Sequence, residues 1–291
     1  MKKKAREIER SDTGELKYWD DYYRAFLKLL PKVSDHHNQR DIFCDACRVF
    51  CLSLRGAVTI DAKEKEDIEV EYQRYVTKYG NEGMEKIGIL LSYVVEALEL
   101  KRQDFLGHVQ EQLNSTAKEY GQFYTPDSVS TMMAKMVCTG HDIKKGRIVK
   151  IGDPSCGAGA LLIAGVERFM AAGGRQCDIL VCGEDLDVTA CNIFYTQASL
   201  LGYAAIVTRM DSLTKKVYEG PWYTIGYFAH AMPMRLLCKN MDDAYAEKHP
   251  EERQEEGWKG VQPTETVPCG TEEGKPIEIN VRELVQSEFQ F

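Results

Sequence analysis

The segment from Lys150 to Ala160, KIGDPSCGAGA, constrains the fold of this chain more than any other. An apolar run ends in an acidic residue, and Gly157 and Gly159 then open the apolar-periodic stretch ALLIAGVERFMAAG. That order reads as a strand, a tight turn and a helix. Glycine lets the backbone turn sharply and approach a ligand, and a helix N-terminus offers unpaired N–H groups beside it. A nucleotide-like cofactor suits that geometry. Taken alone, an ordinary strand-to-helix turn suits the pattern equally well.

The neighbouring sequence extends the pattern. RIVKIG, DILVCGEDL, AIVTRMD and WYTIGYFA are short continuous apolar runs, expected as strands buried on both faces. ALLIAGVERFMAAG and DVTACNIFYTQASLLG lie between them and read as helices. The alternation predicts an α/β fold with a mostly parallel, doubly wound sheet and right-handed crossovers. Ligands on such sheets bind at the carboxyl ends of the strands. Ahead of this region, from Glu15 to about Leu113, apolar residues recur at helical spacing and Gly and Pro are sparse. ELKYWDDYYRAFLKLL, RDIFCDACRVFCLSL, KEKEDIEVEYQRYVTKY and the run from Met84 through Leu113 are each expected to be helical. The organisation expected is an all-helical domain over residues 1–115, an α/β domain over 116–240, and an acidic, partly ordered tail over 241–291. No internal repeat is visible.

With 291 residues, 44% of them apolar, the chain can bury one or two cores. No apolar run approaches the roughly 20 residues of a membrane span, and the basic start MKKKAREIERSD has no apolar stretch behind it, so a cytoplasmic protein is expected. Ten unevenly spaced cysteines then read as reduced thiols. The net charge is -8, and residues 241–291 hold 13 acidic and 5 basic side chains, which leaves the rest of the chain balanced. A protein that held DNA by itself is expected to show a basic surplus. DNA, if bound, is therefore expected to be reached through a partner.

Three carboxylates fall at successive strand ends. Asp153 closes the first, Asp185 stands in Gly183-Glu184-Asp185-Leu186-Asp187 at the second, and Asp211 in Met210-Asp211-Ser212 at the third. A carboxylate at the second position can accept both hydroxyls of a ribose. Upstream, GQFYTP at residues 121–126 puts Thr125 at an N-cap and Pro126 at the first helical position. Capping does not account for Gly121, Gln122, Phe123 and Tyr124.

GQFYTP, then DPSCGAGALLI, then GEDLDVTACNIFYTQASLLGY together resemble the gamma class of adenine-N6 DNA methyltransferases, most of all the modification subunits of type I restriction systems. The resemblance covers about residues 100–213. It implies S-adenosylmethionine (SAM) as cofactor, bound on a Rossmann-like sheet. Carried over by position, it puts Phe123, Tyr124 and Thr125 on the methionine side and Asp153, Ser155, Cys156, Gly157 and Gly159 in the turn beneath the cofactor. It puts Asp185 on the ribose and Asp211, with Leu213, at the adenine. It also implies methyl transfer to adenine in DNA alongside a specificity subunit.

The sequence departs from that family at the fourth strand. There the family carries Asn-Pro-Pro followed by Phe or Tyr, which holds and stacks a flipped base. The best overlay sets Ala231, Met232, Pro233 and Met234 in its place, so no catalytic residue of the motif is intact. Only 57 residues follow Met234, fewer than the family's remaining strands and a recognition domain need. Two readings stay open: a methyltransferase working with a DNA-contacting partner, and a non-catalytic SAM-binding regulatory or assembly subunit.

Cys44, Cys47 and Cys51 lie on one helical stripe with His36 and His37 upstream, and packing rather than zinc binding is expected of them. The aromatic stripe Tyr18, Trp19, Tyr22, Tyr23 and Phe26 is likewise expected to pack helices.

Overall fold

The computed structural model describes residues 16–115, 127–137 and 148–231. Four helices come first: α1 Trp19–Leu29, α2 Gln39–Val58, α3 Ala62–Leu100 and α4 Phe105–Ser115. The starts of α2 and α3 follow from their caps. Asn38 accepts the Asp41 N–H at 2.8 Å, and Asp61 accepts the Glu64 N–H at 2.9 Å. Helix α3 carries a kink at Gly80, where φ is +63°. The run expected from Met84 to Leu113 is broken between Leu100 and Phe105, where α3 ends and α4 begins.

After α5 (Asp127–Val137) the α/β region follows as β1 Val149–Asp153, α6 Ala160–Ala171, β2 Ile179–Asp185, α7 Val188–Leu200, β3 Ala205–Asp211 and β4 Lys216–Tyr223. Strand order is β1-β2-β3-β4. β1, β2 and β3 are parallel, as expected, and β4 runs antiparallel to β3. The sheet is therefore mixed, and the fourth strand is KVYEGPWY, not WYTIGYFA. Tyr227–Ala231 instead forms a short helical turn. The reason is length. Only Ser212 to Lys215 separate β3 from β4, which permits a hairpin, whereas a parallel return needs a crossover of about a dozen residues. Gly220 and Pro221, which read as strand breakers, are tolerated because β4 lies at the sheet edge beside register shifts in its pairing.

Helices α6 and α7 cover one face of the sheet, and α2 and α4 pack over α7. Every residue of α7 from Thr189 to Ser199 is consequently buried. A helix without a polar face must be enclosed on all sides, and here the helical layer and the sheet enclose it. One continuous hydrophobic cluster runs from Phe26 and Phe43 through Phe105 and Phe194 to Val207 and Trp222. Trp19 stacks on Tyr23 at 5.5 Å and meets Phe105 edge-on at 5.4 Å, so these members of the aromatic stripe pack α1 against α4, whereas Tyr18 stands 72% exposed. Cys47 and Cys51 belong to the same cluster. Burial pushes the Cys51 thiol up to about 12.

The other face is covered differently from expectation. Burial alternates along β1, with Lys150 and Gly152 exposed. A small separate cluster of Leu180, Ala204 and Tyr227, with Ile148, Ile206, Tyr223 and Phe228 against it, closes only the amino ends of the strands. Strand β1 is thus not buried on both faces along its length, whereas no residue of β2 or β3 is exposed.

Candidate functional site

The backbone N–H groups of the turn after β1 are held by Asp153, by the end of β2 and by the turn itself. The Ser155 N–H donates to Asp153 Oδ1 at 3.0 Å, and the Cys156 N–H donates to the Glu184 carbonyl at 2.9 Å. The Gly157 N–H donates to Asp185 Oδ2 at 2.8 Å, and the Gly159 N–H to the Cys156 carbonyl at 2.9 Å. Gly157 and Gly159 have φ of +54° and +88°, the left-handed region that favours glycine. Gly159 is required on a second count, because a Cβ there stands 2.1 Å from Phe194 Cδ2. The same ring leaves only 2.5 Å for a Cβ at Gly183. The two glycines let α7 press Phe194 against both the turn and β2. Cys156 is buried beneath the turn, and burial raises its thiol well above the ordinary range.

The strand ends form a stair. Asp153 lies opposite Gly183, and Asp185 lies opposite Arg209, so each strand runs two residues beyond its neighbour. One step is about 4.8 Å sideways and about 7 Å along the strands. Asp185 is held at both oxygens, by the Gly157 N–H and by the Asp187 N–H, which donates to Oδ1 at 2.9 Å. An ionised carboxylate has about four acceptor positions, so capacity for two further donors remains. Asp211 Oδ1 accepts the Leu213 and Thr214 N–H groups at 2.9 and 3.1 Å. Bonds from Thr214 and Leu213 hold the Asp211 carboxyl below the usual aspartate value. Ser212 donates to the Pro154 carbonyl, which ties the third strand end to the first turn.

Two large apolar side chains stand in solvent beside these carboxylates. Leu186 is 56% exposed and Leu213 96% exposed. Sequence reasoning named Leu213 and passed over Leu186. The available signal was a leucine set between acidic residues at a strand end. Glu184 and Asp187 stand beside Asp185 in the chain, so the mouth of the site is strongly acidic.

The chemistry this arrangement can accept is narrow. A phosphate-binding turn presents free N–H groups to its ligand, whereas here those of Ser155, Cys156, Gly157 and Gly159 are used within the protein. The flanking carboxylates also repel an anion. The remaining acceptor capacity of Asp185 and the exposed Leu186 and Leu213 suit a ligand without phosphate that brings hydroxyl donors and an apolar face. A positive charge elsewhere on it is favoured.

Of the site residues expected from sequence, Asp153, Ser155, Cys156, Gly157, Gly159, Asp185, Asp211 and Leu213 lie at this end of the sheet. Phe123, Tyr124 and Thr125 fall outside the described residues, as do Met232, Pro233 and Met234. Ala231 ends the turn Tyr227–Ala231, and that turn is anchored at the opposite end. Thr224 Oγ1 donates to the Tyr203 carbonyl at 2.6 Å and accepts the Ala205 N–H at 2.9 Å. A Cβ on Gly226 stands 2.4 Å from the Tyr203 oxygen. Tyr227 packs with Leu180 and Ala204. From Leu180 to Asp185 the strand rises about 16 Å. The position overlaid on the base-holding motif thus departs from the amino ends, not from beside Asp185.

Residues 101–221 match the N-6 DNA Methylase family. Among solved structures the chain is similar, at 16% identity and a TM-score of 0.38, to a protein from Listeria monocytogenes assigned to the class I S-adenosylmethionine-dependent methyltransferases. The match covers 69% of this chain and 57% of that one. It is also similar, at 13% identity and a TM-score of 0.40, to the methyltransferase subunit of a type I restriction-modification system from Streptococcus thermophilus, covering 68% of this chain and 59% of that subunit. The chain thus spans under two thirds of the length of either protein.

Proposed function

We propose that this protein, whose residues 101–221 match the N-6 DNA Methylase family, binds S-adenosylmethionine at the carboxyl ends of β1, β2 and β3. The observation that carries this reading is the internal use of the Ser155, Cys156, Gly157 and Gly159 N–H groups beside the Asp185 carboxylate. SAM is a nucleoside derivative without phosphate, and its sulfonium and ammonium charges suit an acidic mouth. Asp185 takes the ribose hydroxyls, Leu186 and Leu213 flank the adenine, and Asp211 faces its amino group. Phe123, Tyr124 and Thr125 are assigned the methionine side by resemblance.

The family's reaction moves the sulfonium methyl to the amino nitrogen of adenine in DNA. In this chain the balanced charge of residues 1–240 supports a partner that supplies the DNA contacts. What favours a non-catalytic, cofactor-sensing role as the second reading is the placement of Tyr227–Ala231 at the amino ends of the strands. No helix among the described residues is long and apolar enough to cross a membrane.

Calorimetric titration with SAM and with S-adenosylhomocysteine tests the cofactor site. Saturable one-to-one binding that disappears in Asp185→Ala supports it, and no binding at millimolar ligand refutes it. Incubation of the full chain with labelled SAM and mixed genomic DNA then separates the two readings. Label appearing as N6-methyladenine defeats the non-catalytic one.

A further inference from the structure

The cofactor site is connected to the helical layer by a line of charged groups. Arg48 of α2 makes a two-point pair with Glu71 of α3, at 2.7 and 2.9 Å. Its Nη2 also reaches Glu219 Oε2 of β4 at 2.9 Å, and its Nη1 reaches Asn192 Oδ1 of α7 at 3.2 Å. The other oxygen of Glu219 accepts Arg209 Nη1 at 3.0 Å. Arg209 Nε in turn donates to the Leu186 carbonyl at 3.2 Å. None of these side chains is more than about a third exposed, with Arg48 at 12%. Such pairs are screened less than surface ones, and their geometry is constrained from both sides.

The last bond bears on the ribose site through covalent geometry. The Leu186 carbonyl and the Asp187 N–H belong to one peptide unit, which is planar. Its oxygen is held by Arg209, and its N–H holds Asp185 Oδ1. Fixing one side of the plane fixes the direction of the other. Arg209 sits between register shifts in the β3–β4 pairing, and such irregularities re-aim a side chain.

We propose that Arg209 is a positioning residue for the ribose acceptor Asp185, acting through the 186–187 peptide and clamped from the helical layer by Glu219, Arg48 and Glu71. The inference rests on the SAM reading above and adds to it a mechanical link from α2 and α3 to the cofactor. A residue that merely stabilises the fold weakens every ligand alike, whereas one that aims Asp185 controls the contribution of the ribose hydroxyls in particular.

The test compares two probes, S-adenosylhomocysteine and its 2′,3′-dideoxyribose counterpart, by calorimetry on the full chain. The unmodified protein is expected to prefer the hydroxylated probe by about tenfold or more. In Arg209→Met that preference is expected to fall to about twofold, with affinity for the dideoxy probe little changed. Glu219→Gln, which keeps shape and removes charge, is expected to give an intermediate preference and decides the matter if Arg209→Met does not fold. A preference that stays at its original value in the folded variants overturns the proposal and leaves the SAM site standing. An unmodified chain that binds the first probe without preferring it removes Asp185 as ribose acceptor and the proposal with it. An unmodified chain that binds neither probe refutes the SAM reading itself.

Discussion

The two ends of the β-sheet are built from different materials. At the carboxyl ends, Asp153, Asp185 and Asp211 hold backbone N–H groups of the surrounding turns, and Leu186 and Leu213 stand in water. At the amino ends, Tyr223, Tyr227 and Phe228 gather over Leu180 and Ala204, with Tyr223 and Tyr227 ring centroids 4.7 Å apart. One end is rigid in its backbone and open in its side chains, which is what a ligand site requires. The other is closed by apolar packing, which stabilises the fold. The contrast teaches that a motif position matched by order along the chain need not arrive at the expected end of the sheet. An antiparallel β4 delivers the residues that directly follow it, Thr224 to Ala231, to the amino ends.

The comparison is broken most directly at Asp185. Asp185→Ala removes the acceptor for two hydroxyls, and charge-assisted bonds of that kind contribute about 1.5 kcal/mol or more each, so SAM affinity is expected to fall about a hundredfold by calorimetry. Unchanged affinity would place the ligand elsewhere. At the opposite end, Tyr227→Ala empties a site where the residue is 6% exposed, and a loss of about 3 kcal/mol in urea unfolding is expected with cofactor affinity preserved. A parallel loss of affinity would show that the two ends are not independent.

Between them lies Gln197, fully buried on α7. Its Oε1 accepts the Phe105 and Leu106 N–H groups at 2.7 and 3.0 Å, and its Nε2 donates to Asp104 and to the Ala158 carbonyl at 2.9 and 3.2 Å. Gln197→Leu strands the first two N–H groups of α4, and a destabilisation of about 2 kcal/mol is expected from the denaturation midpoint. Acid exposes a smaller effect. The folded Asp211 carboxyl titrates below 3.8, so the stability its N–H bonds contribute is fully present above that value and is lost as pH falls below it. The Leu213 and Thr214 amide signals should titrate together, with a midpoint under 3.8. Last, Ala231→Asn is expected to change neither SAM affinity nor methyl transfer, because that turn is anchored at the amino ends. Gain of N6-methyladenine in a DNA assay would refute that placement.

Local order along the chain was legible from residues. KIGDPSCGAGA announced its turn because left-handed glycines and a following apolar helix leave few alternatives, and Gly157 and Gly159 adopt that geometry. The helices of the first hundred residues announced themselves by apolar spacing, while the caps Asn38 and Asp61 went unread. KVYEGPWY did not, because Gly-Pro suggests a break and edge position alone makes it tolerable as a strand. Arg209, Glu219 and Gln197 carried no signal at all, since an arginine, a glutamate and a glutamine in a sequence do not reveal which backbone group they will meet.

The sequence by itself determined the parallel β1-β2-β3 unit, the acidic strand ends and the enclosing helices, because each depends on periodicity and on turn chemistry over a few neighbouring residues. Tertiary structure alone decided the direction of β4, the exposure of Lys150 and Gly152 on β1, and the line from Glu71 to Asp185. Those depend on which distant elements pack together, and a planar peptide held from both sides has no counterpart in the order of residues along the chain.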